Sequence, residues 1–351
     1  MKPKININNL IRDNIRAIKP YSSARDDFKD VSTNDMVFLD ANENPFENGV
    51  NRYPDPLQKN LKKLVSKIKK IGEESIFIGN GSDEVLDLIV RAFCEPNKDN
   101  IITLPPTYGM YGVIAEINAI ENRNVLLNND FQPEVKNILE QIDSNTKILF
   151  LCSPNNPTGN SFEASIVEEL VQNFEGLVII DESYIDFSNE QSWLSRLEMF
   201  PNLIIVQTLS KAYALAGIRI GLCYASKEII TVLNSIKPPY NVNELSQQKA
   251  ISRLHQIAGV ESEISELISE RKRLKKELES GVSFIEKIYP SDSNFLLIKV
   301  DDATTRYNQL ISYGIVVRNR SLEPLCNNCL RISVGVSEEN QRLIIALKAL
   351  Q

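Results

Sequence analysis

The sequence is poor in the groups that hydrolytic and metal chemistry most often uses. It holds one histidine, His255, in 351 residues. Hydrolase triads normally take histidine as their base, so proton transfer here falls to lysine, tyrosine, aspartate or glutamate. His255 itself lies in the polar helical pattern AISRLHQIAGV and reads as a solvated face residue. Cys326 and Cys329 form a lone CxxC, and no second one exists to complete a zinc site, so no metal is expected. No apolar run approaches the length of a membrane span, and MKPKININNL does not read as a signal peptide. Basic excess is lacking too. The formal net charge of -7 argues against a nucleic-acid partner, although a few arginines can still build a local anion site. The five cysteines form no obvious disulfide framework. Cys94, Cys152 and Cys223 sit in apolar segments and read as buried thiols, which points to a reducing cytoplasm.

What remains is an ordinary globular composition, 42% hydrophobic and 24% charged. A chain this long favours two unequal lobes over one core. An arm, residues 1–30, breaks at Pro20 and carries Tyr21; it is expected to pack with the smaller lobe. Residues 31–245 read as the large domain. The loop DANENPFENG leads through Asn51-Arg52-Tyr53-Pro54 into an amphipathic helix over 57–70. Apolar runs at 76–78, 100–104, 125–127, 147–152, 177–180 and 204–206 read as strands, separated by helical patterns. That alternation predicts an α/β fold, a mostly parallel sheet flanked by helices. Residues 246–351 read as a smaller α+β domain: a long helical region, three strands around one helix, and a final helix SEENQRLIIALKAL. In this reading Arg318 ends a strand IVV, and Arg331 opens the strand RISVGV.

On an open parallel sheet, the carboxyl ends of the strands share one edge, and ligands bind there. Four polar groups follow strand ends in this sequence. Gly81-Ser82-Asp83 opens a helix, either as a plain cap or as a cradle of free N–H groups for an anion. Asn156 lies in SPNNPTG, Asp181 and Tyr184 in DESY, and Lys211 in TLSKAYALAGIRIG. Tyr108, after Pro105-Pro106, either stacks on a flat ligand or packs in the core. A lysine in apolar company suits a Schiff base to an aldehyde cofactor. Thr208, Ser210 and Arg219 beside it suit that cofactor's phosphate. Placing pyridoxal 5'-phosphate in the shared crevice gives each residue a task. Lys211 holds the aldehyde and then moves the substrate's proton, and Asp181 keeps the pyridine nitrogen protonated. Asn156 and Tyr184 meet the phenolic oxygen, and Tyr108 stacks on the ring.

The set CSPNNPTG, DESYIDF and TLSKAYALAGIRIG resembles the fold-type I pyridoxal-phosphate aminotransferases, class II. LDANENP, RYPD, GNGSDEVLDLIVRAFCEP, PPTYGMY, GIVVRNR and LRISVGV are similar to the histidinol-phosphate aminotransferases in particular, over nearly the whole chain. The resemblance implies amino transfer between histidinol phosphate and glutamate or 2-oxoglutarate, a step of histidine biosynthesis. It also implies a homodimer with shared active sites, Tyr53 reaching the phosphate of the other subunit's cofactor. Arg318, Arg331 and Tyr21 would receive the substrate, with Asn156. Arg320 and Arg306, in polar or helical surroundings, fit surface ion pairs better. Ser82 departs from the family, which more often has alanine there, as does the short loop around Cys326. The competing readings are a threonine-phosphate decarboxylase, an aromatic aminotransferase, and a silent binding protein on the same fold. The intact Lys211, Asp181, Asn156 and Arg219 argue against the last.

Overall fold

The computed structural model describes residues 5–19 and 37–351. Its larger sheet is built from β1 (Ile76–Gly79), β2 (Asn100–Thr103), β3 (Glu121–Asn124), β4 (Thr146–Cys152), β5 (Leu177–Asp181), β6 (Leu203–Thr208) and β7 (Gly221–Tyr224). The spatial order is β1-β7-β6-β5-β4-β2-β3. Only β7 runs antiparallel to its neighbours. Successive side chains of a strand point to opposite faces. Leu149 and Leu151 of β4 therefore join one core, and Ile148 and Phe150 the other. Both faces are covered by helices, which explains the continuous apolar runs: a doubly buried strand has no polar side.

The smaller sheet is wholly antiparallel, β10 (Arg318–Asn319), β11 (Cys329–Ser333), β9 (Phe295–Val300) and β8 (Ile285–Ile288) in that order. In β9 the same alternation separates two environments. Leu296 and Ile298 pack under the smaller domain's own helices, whereas Phe295 and Leu297 join the core of the larger domain. Arg331 lies between Leu330 and Ile332 of that small-domain core, so it shares the face of Cys329, which belongs to the larger core. The helix Ile257–Gly281 links the two sheets. Its buried Arg271 donates to the carbonyls of Ser293 at 2.5 Å and Phe187 at 3.3 Å, clamping the junction.

Four local expectations change. The strand expected at 125–127 lies at 121–124 instead. β3 is an edge strand paired only with β2, its sequence ENRN is solvated, and so it carries no apolar signal. The apolar residues after it, Val125 and Leu127, turn into the core. The segment IVV is not strand; pairing begins at Arg318, directly opposite Arg331. The helical region from 243 splits into Glu244–Leu254 and Ile257–Gly281. Finally, the described part of the arm packs on the larger domain. Ile7 and Ile11 enter its core, and Arg12 pairs with Glu95 at 3.1 Å. Its short helices lie on the helix Lys227–Ile236, not on the smaller domain.

Candidate active site

A cavity of about 520 Å³ opens between the carboxyl edge of the larger sheet and β10–β11 of the smaller one. Its lining brings together Ser82, Asp83, Tyr108, Asn156, Asp181, Tyr184, Thr208, Ser210, Lys211, Arg219, Arg318 and Arg331. Residues some 250 positions apart in sequence meet there because every parallel strand delivers its loop to the same edge.

Asp181 ends β5 and is only 2% exposed. Its Oδ1 accepts from the Ser183 backbone N–H at 3.0 Å and from the Ser183 hydroxyl at 2.6 Å. Its Oδ2 accepts from the Tyr111 hydroxyl at 2.8 Å. Burial raises the pKa of this carboxyl despite those donors. Tyr111 is fixed in turn by stacking on Phe150, with centroids 4.6 Å apart. Neither Tyr111 nor Ser183 stood out in the sequence. The signal was general: a buried carboxylate must find donors nearby.

Lys211 is open to the cavity, yet its pKa is lowered, first by desolvation and then by the cations Arg331 and Arg219. Its Nζ lies 5.8 Å from the Tyr184 ring centroid. Tyr184 packs edge-on against Phe295, and burial raises its phenol. Asn156 accepts from an Arg331 guanidinium nitrogen through Oδ1. Its loop is pinned by Asn155, fully buried, which donates to the Pro106 carbonyl at 2.8 Å and accepts from Thr107 at 3.0 Å.

At the other end, Gly81 precedes the helix Ser82–Phe93 with φ +85, and no side chain caps that helix. Neither Ser82 nor Asp83 serves as its cap, so its first N–H groups are left to an anion. Two glycines make room. A Cβ on Gly81 would lie 2.7 Å from Arg219 Nη2, and one on Gly221 would lie 2.4 Å from the Gly81 carbonyl carbon. Asp83 bridges the site: it accepts from the Tyr108 hydroxyl at 3.0 Å and pairs with Arg219 at 3.3 Å. Thr208 donates to Ser210 Oγ at 3.0 Å and accepts from the Ser210 N–H at 3.1 Å.

Some expected residues lie elsewhere. Tyr53 stacks on Tyr240 at 4.4 Å and lines a separate cavity with Arg52 and Glu43. Tyr21 is outside the described residues. Arg306 makes a two-pronged pair with Asp301 and covers the Phe284 ring. Arg320, expected on the surface beside it, lines the cavity instead.

The model of the family "Aminotransferase class I and II" matches residues 33–347. The histidinol-phosphate aminotransferase of Flavobacterium johnsoniae is 62% identical, over 98% of both chains. The chain belongs to the histidinol-phosphate aminotransferase family. Among solved structures, the histidinol-phosphate aminotransferase of Clostridium acetobutylicum superposes with a TM-score of 0.79 at 24% identity, covering 86% of this chain and 91% of that one. That of Sinorhizobium meliloti, solved with pyridoxal-5'-phosphate, gives 0.77 at 24%, over 85% and 82%. These likenesses establish the fold: a fold-type I α/β domain with a smaller α+β domain. No helix among the described residues is long and apolar enough to cross a membrane.

Proposed function

We propose that this chain uses pyridoxal 5'-phosphate to transfer an amino group reversibly between L-histidinol phosphate and 2-oxoglutarate, in histidine biosynthesis. One observation carries the reading. A single cavity holds a lysine with a lowered pKa, a buried carboxylate and a glycine-lined helix terminus, walled by arginines of the second domain.

The donor set fits the cofactor. Asp181, buried and held by neutral donors among the described residues, suits a protonated ring nitrogen. Gly81 and Gly221 let Arg219 and the Gly81–Ser82 backbone close up at the helix terminus, and the free N–H groups of Ser82 and Asp83, the hydroxyls of Thr208 and Ser210, and the Arg219 guanidinium there suit the phosphate. The Asp83 carboxylate would repel a phosphate; its part is to hold Arg219 and Tyr108. Bound there, the cofactor would supply an electron sink for the substrate's Cα. Asp181 would hold a proton at the ring nitrogen, Asn156 and Tyr184 would meet the phenolic oxygen, and Tyr108 would cover one face of the ring. Lys211 would hold the cofactor's aldehyde carbon and move the proton at the substrate's Cα. Burial and the cations Arg331 and Arg219 lower its pKa, which favours the neutral, basic form of the amine. Arg318 and Arg331 anchor the anionic end of either substrate.

The active unit is a homodimer, with Tyr53 completing the cofactor's phosphate site across the interface. The half-exposed Tyr53 lines its cavity with the exposed apolar residues Val50 and Leu245, which suits a covered contact. The five cysteines are free and buried, in keeping with a cytoplasmic protein. The test is an assay of purified, cofactor-loaded protein with 2-oxoglutarate and histidinol phosphate, phenylalanine or threonine phosphate. Glutamate should form fastest with histidinol phosphate. Carbon dioxide released from threonine phosphate, with no glutamate formed, would establish the decarboxylase instead.

A further inference from the structure

The arginines on the small-domain wall are more numerous, and more closely grouped, than anchoring one carboxylate requires. The β10–β11 register sets Arg318 directly opposite Arg331, and like charges directly opposite each other weaken an antiparallel pair. The ladder does not stop at Asn319. The Arg320 N–H donates to the Cys329 carbonyl at 2.8 Å. In extended chain, residues two apart share a side, so the run Arg318-Asn319-Arg320 turns both arginines toward the cavity. Both line it, with Arg331.

Arg320 is the most enclosed of this group in one respect. Its side chain is 15% exposed, and its Nε is sealed from solvent with no hydrogen-bond partner. A buried guanidinium N–H without an acceptor is costly; Nε is closed to the cavity, so Arg320 can meet an occupant only through the rest of its side chain. Arg320 Nη2 meets Glu323 at 3.3 Å, and Glu323 also lines the cavity. The pair is set in a fixed turn: the Glu323 N–H donates to the Arg320 carbonyl at 2.9 Å, and the Ser321 N–H to Asn319 Oδ1 at 2.9 Å. Arg318 makes no ion pair among the described residues. The wall thus offers three guanidinium groups against one carboxylate. The proximity of Arg318 and Arg320 lowers the Arg331 pKa, adding to the effect of burial.

We propose that Arg320 is a specificity-determining residue that recognises the substrate's phosphate monoester, and that Glu323 holds it in reserve when the occupant is a carboxylate. This rests on the substrate reading above. The excess of two positive charges matches a phosphate dianion. With a monoanionic carboxylate bound, Arg318 and Arg331 suffice and Arg320 stays paired with Glu323. With phosphate bound, Arg320 adds its positive charge and the planar end of its guanidinium, suited to phosphate oxygens. One wall thereby serves two acids of different charge without moving a strand.

The experiment uses the cofactor-loaded enzyme in single-turnover reactions with histidinol phosphate and with glutamate, and calorimetric titration with inorganic phosphate. Arg320→Gln should lower the ratio of specificity constants, histidinol phosphate over glutamate, about 10- to 100-fold, and weaken phosphate binding in parallel. Arg320→Lys should fall between, keeping the charge but losing the fork. Glu323→Gln should shift the ratio toward glutamate while strengthening phosphate binding, because it frees Arg320 for both acids. An Arg320→Gln enzyme with the wild-type ratio, or one that loses both substrates equally, overturns the proposal. If Arg320→Gln does not fold, a Glu323→Gln enzyme indistinguishable from wild type overturns it alone. A wild-type enzyme inert toward histidinol phosphate but active with another amine would overturn the substrate reading itself, a separate outcome.

Discussion

Replacing Asp181 with asparagine separates the carboxylate's charge from its shape. The amide can keep every contact seen in the structure. Its Oδ1 still accepts from the Ser183 N–H at 3.0 Å and hydroxyl at 2.6 Å, and the Tyr111 hydroxyl can rotate to accept from the new N–H. Only the charge is lost. Without cofactor, that loss helps. Burial raises the Asp181 pKa above its unfolded value, so the folded state holds the proton more tightly. The associated stability is present at low pH and disappears as pH rises through the folded-state pKa. Above the folded-state pKa the ionised wild type is therefore the strained form. Three hydrogen bonds to a charged acceptor weaken on substitution, but the removed desolvation penalty is larger, which is what the raised pKa records. The expected balance favours Asp181→Asn by about 1 kcal/mol, roughly 1–3 °C in melting temperature for a chain of this size. The gap should close as pH falls through the folded-state pKa toward the unfolded value. With cofactor the order reverses. A charge-assisted bond to the ring nitrogen is worth about 1.5–3 kcal/mol, so affinity should drop roughly 10- to 150-fold. Turnover should drop further, because the proton held there matters most as charge develops. Thermal unfolding at several pH values, with and without pyridoxal 5'-phosphate, reads all of this. A cofactor-free Asp181→Asn protein less stable than wild type at pH 7.5, with undiminished cofactor affinity, would refute the reasoning.

Three other outcomes follow from the same geometry. Lys211→Ala should abolish transamination yet retain weak cofactor binding through the phosphate cradle; near-normal turnover would remove Lys211 from its role. Mixing inactive Tyr53→Ala with inactive Lys211→Ala chains should recover activity in heterodimers, each with one intact site; no recovery after proven subunit exchange would count against a shared site. Gly221→Ala places a methyl group 2.4 Å from the Gly81 carbonyl carbon and the Ser82 nitrogen. The backbone must shift, which should cost about 1–3 kcal/mol in urea unfolding and weaken cofactor binding; an unmoved midpoint would show that the two loops approach less closely.

The parts of the fold legible in the sequence are those whose environment is uniform. β4, β5 and β6 are buried on both faces, so their residues are apolar throughout and their positions are plain. β3 is not, because an edge strand in water has no reason to be apolar. The strand Gly221–Tyr224 also escapes notice: it follows directly on the cofactor loop, and its glycine is dictated by the approach of Gly81 rather than by strand preference. The larger domain's residues Asn156, Asp181 and Lys211, which the structure brings to one cavity, are legible because each follows a strand end and carries a distinctive group. Those that act through them were not. Tyr111 lies three residues beyond Tyr108, and nothing in the spacing shows which ring reaches Asp181.

The small-domain wall was misread for a different reason. Arg320 was assigned to the surface because its neighbours are polar, an argument from composition. Period two gives the opposite answer. Once Arg318 faces the cavity, Asn319 faces away and Arg320 returns, provided the chain stays extended. The hydrogen bond from Arg320 to Cys329 shows that it does. The bond holds because the loop between Ser321 and Asn328 closes on itself, the Cys326 N–H donating to Glu323 and the Cys329 N–H to Cys326. The buried CxxC is thus a fastening. Its thiols fill the larger domain's core at the point where the loop must turn back, and it fixes the register that puts three guanidinium groups on one wall. A lone cysteine pair and an arginine whose Nε finds no acceptor among the described residues, each unremarkable alone in the sequence, belong to the same construction.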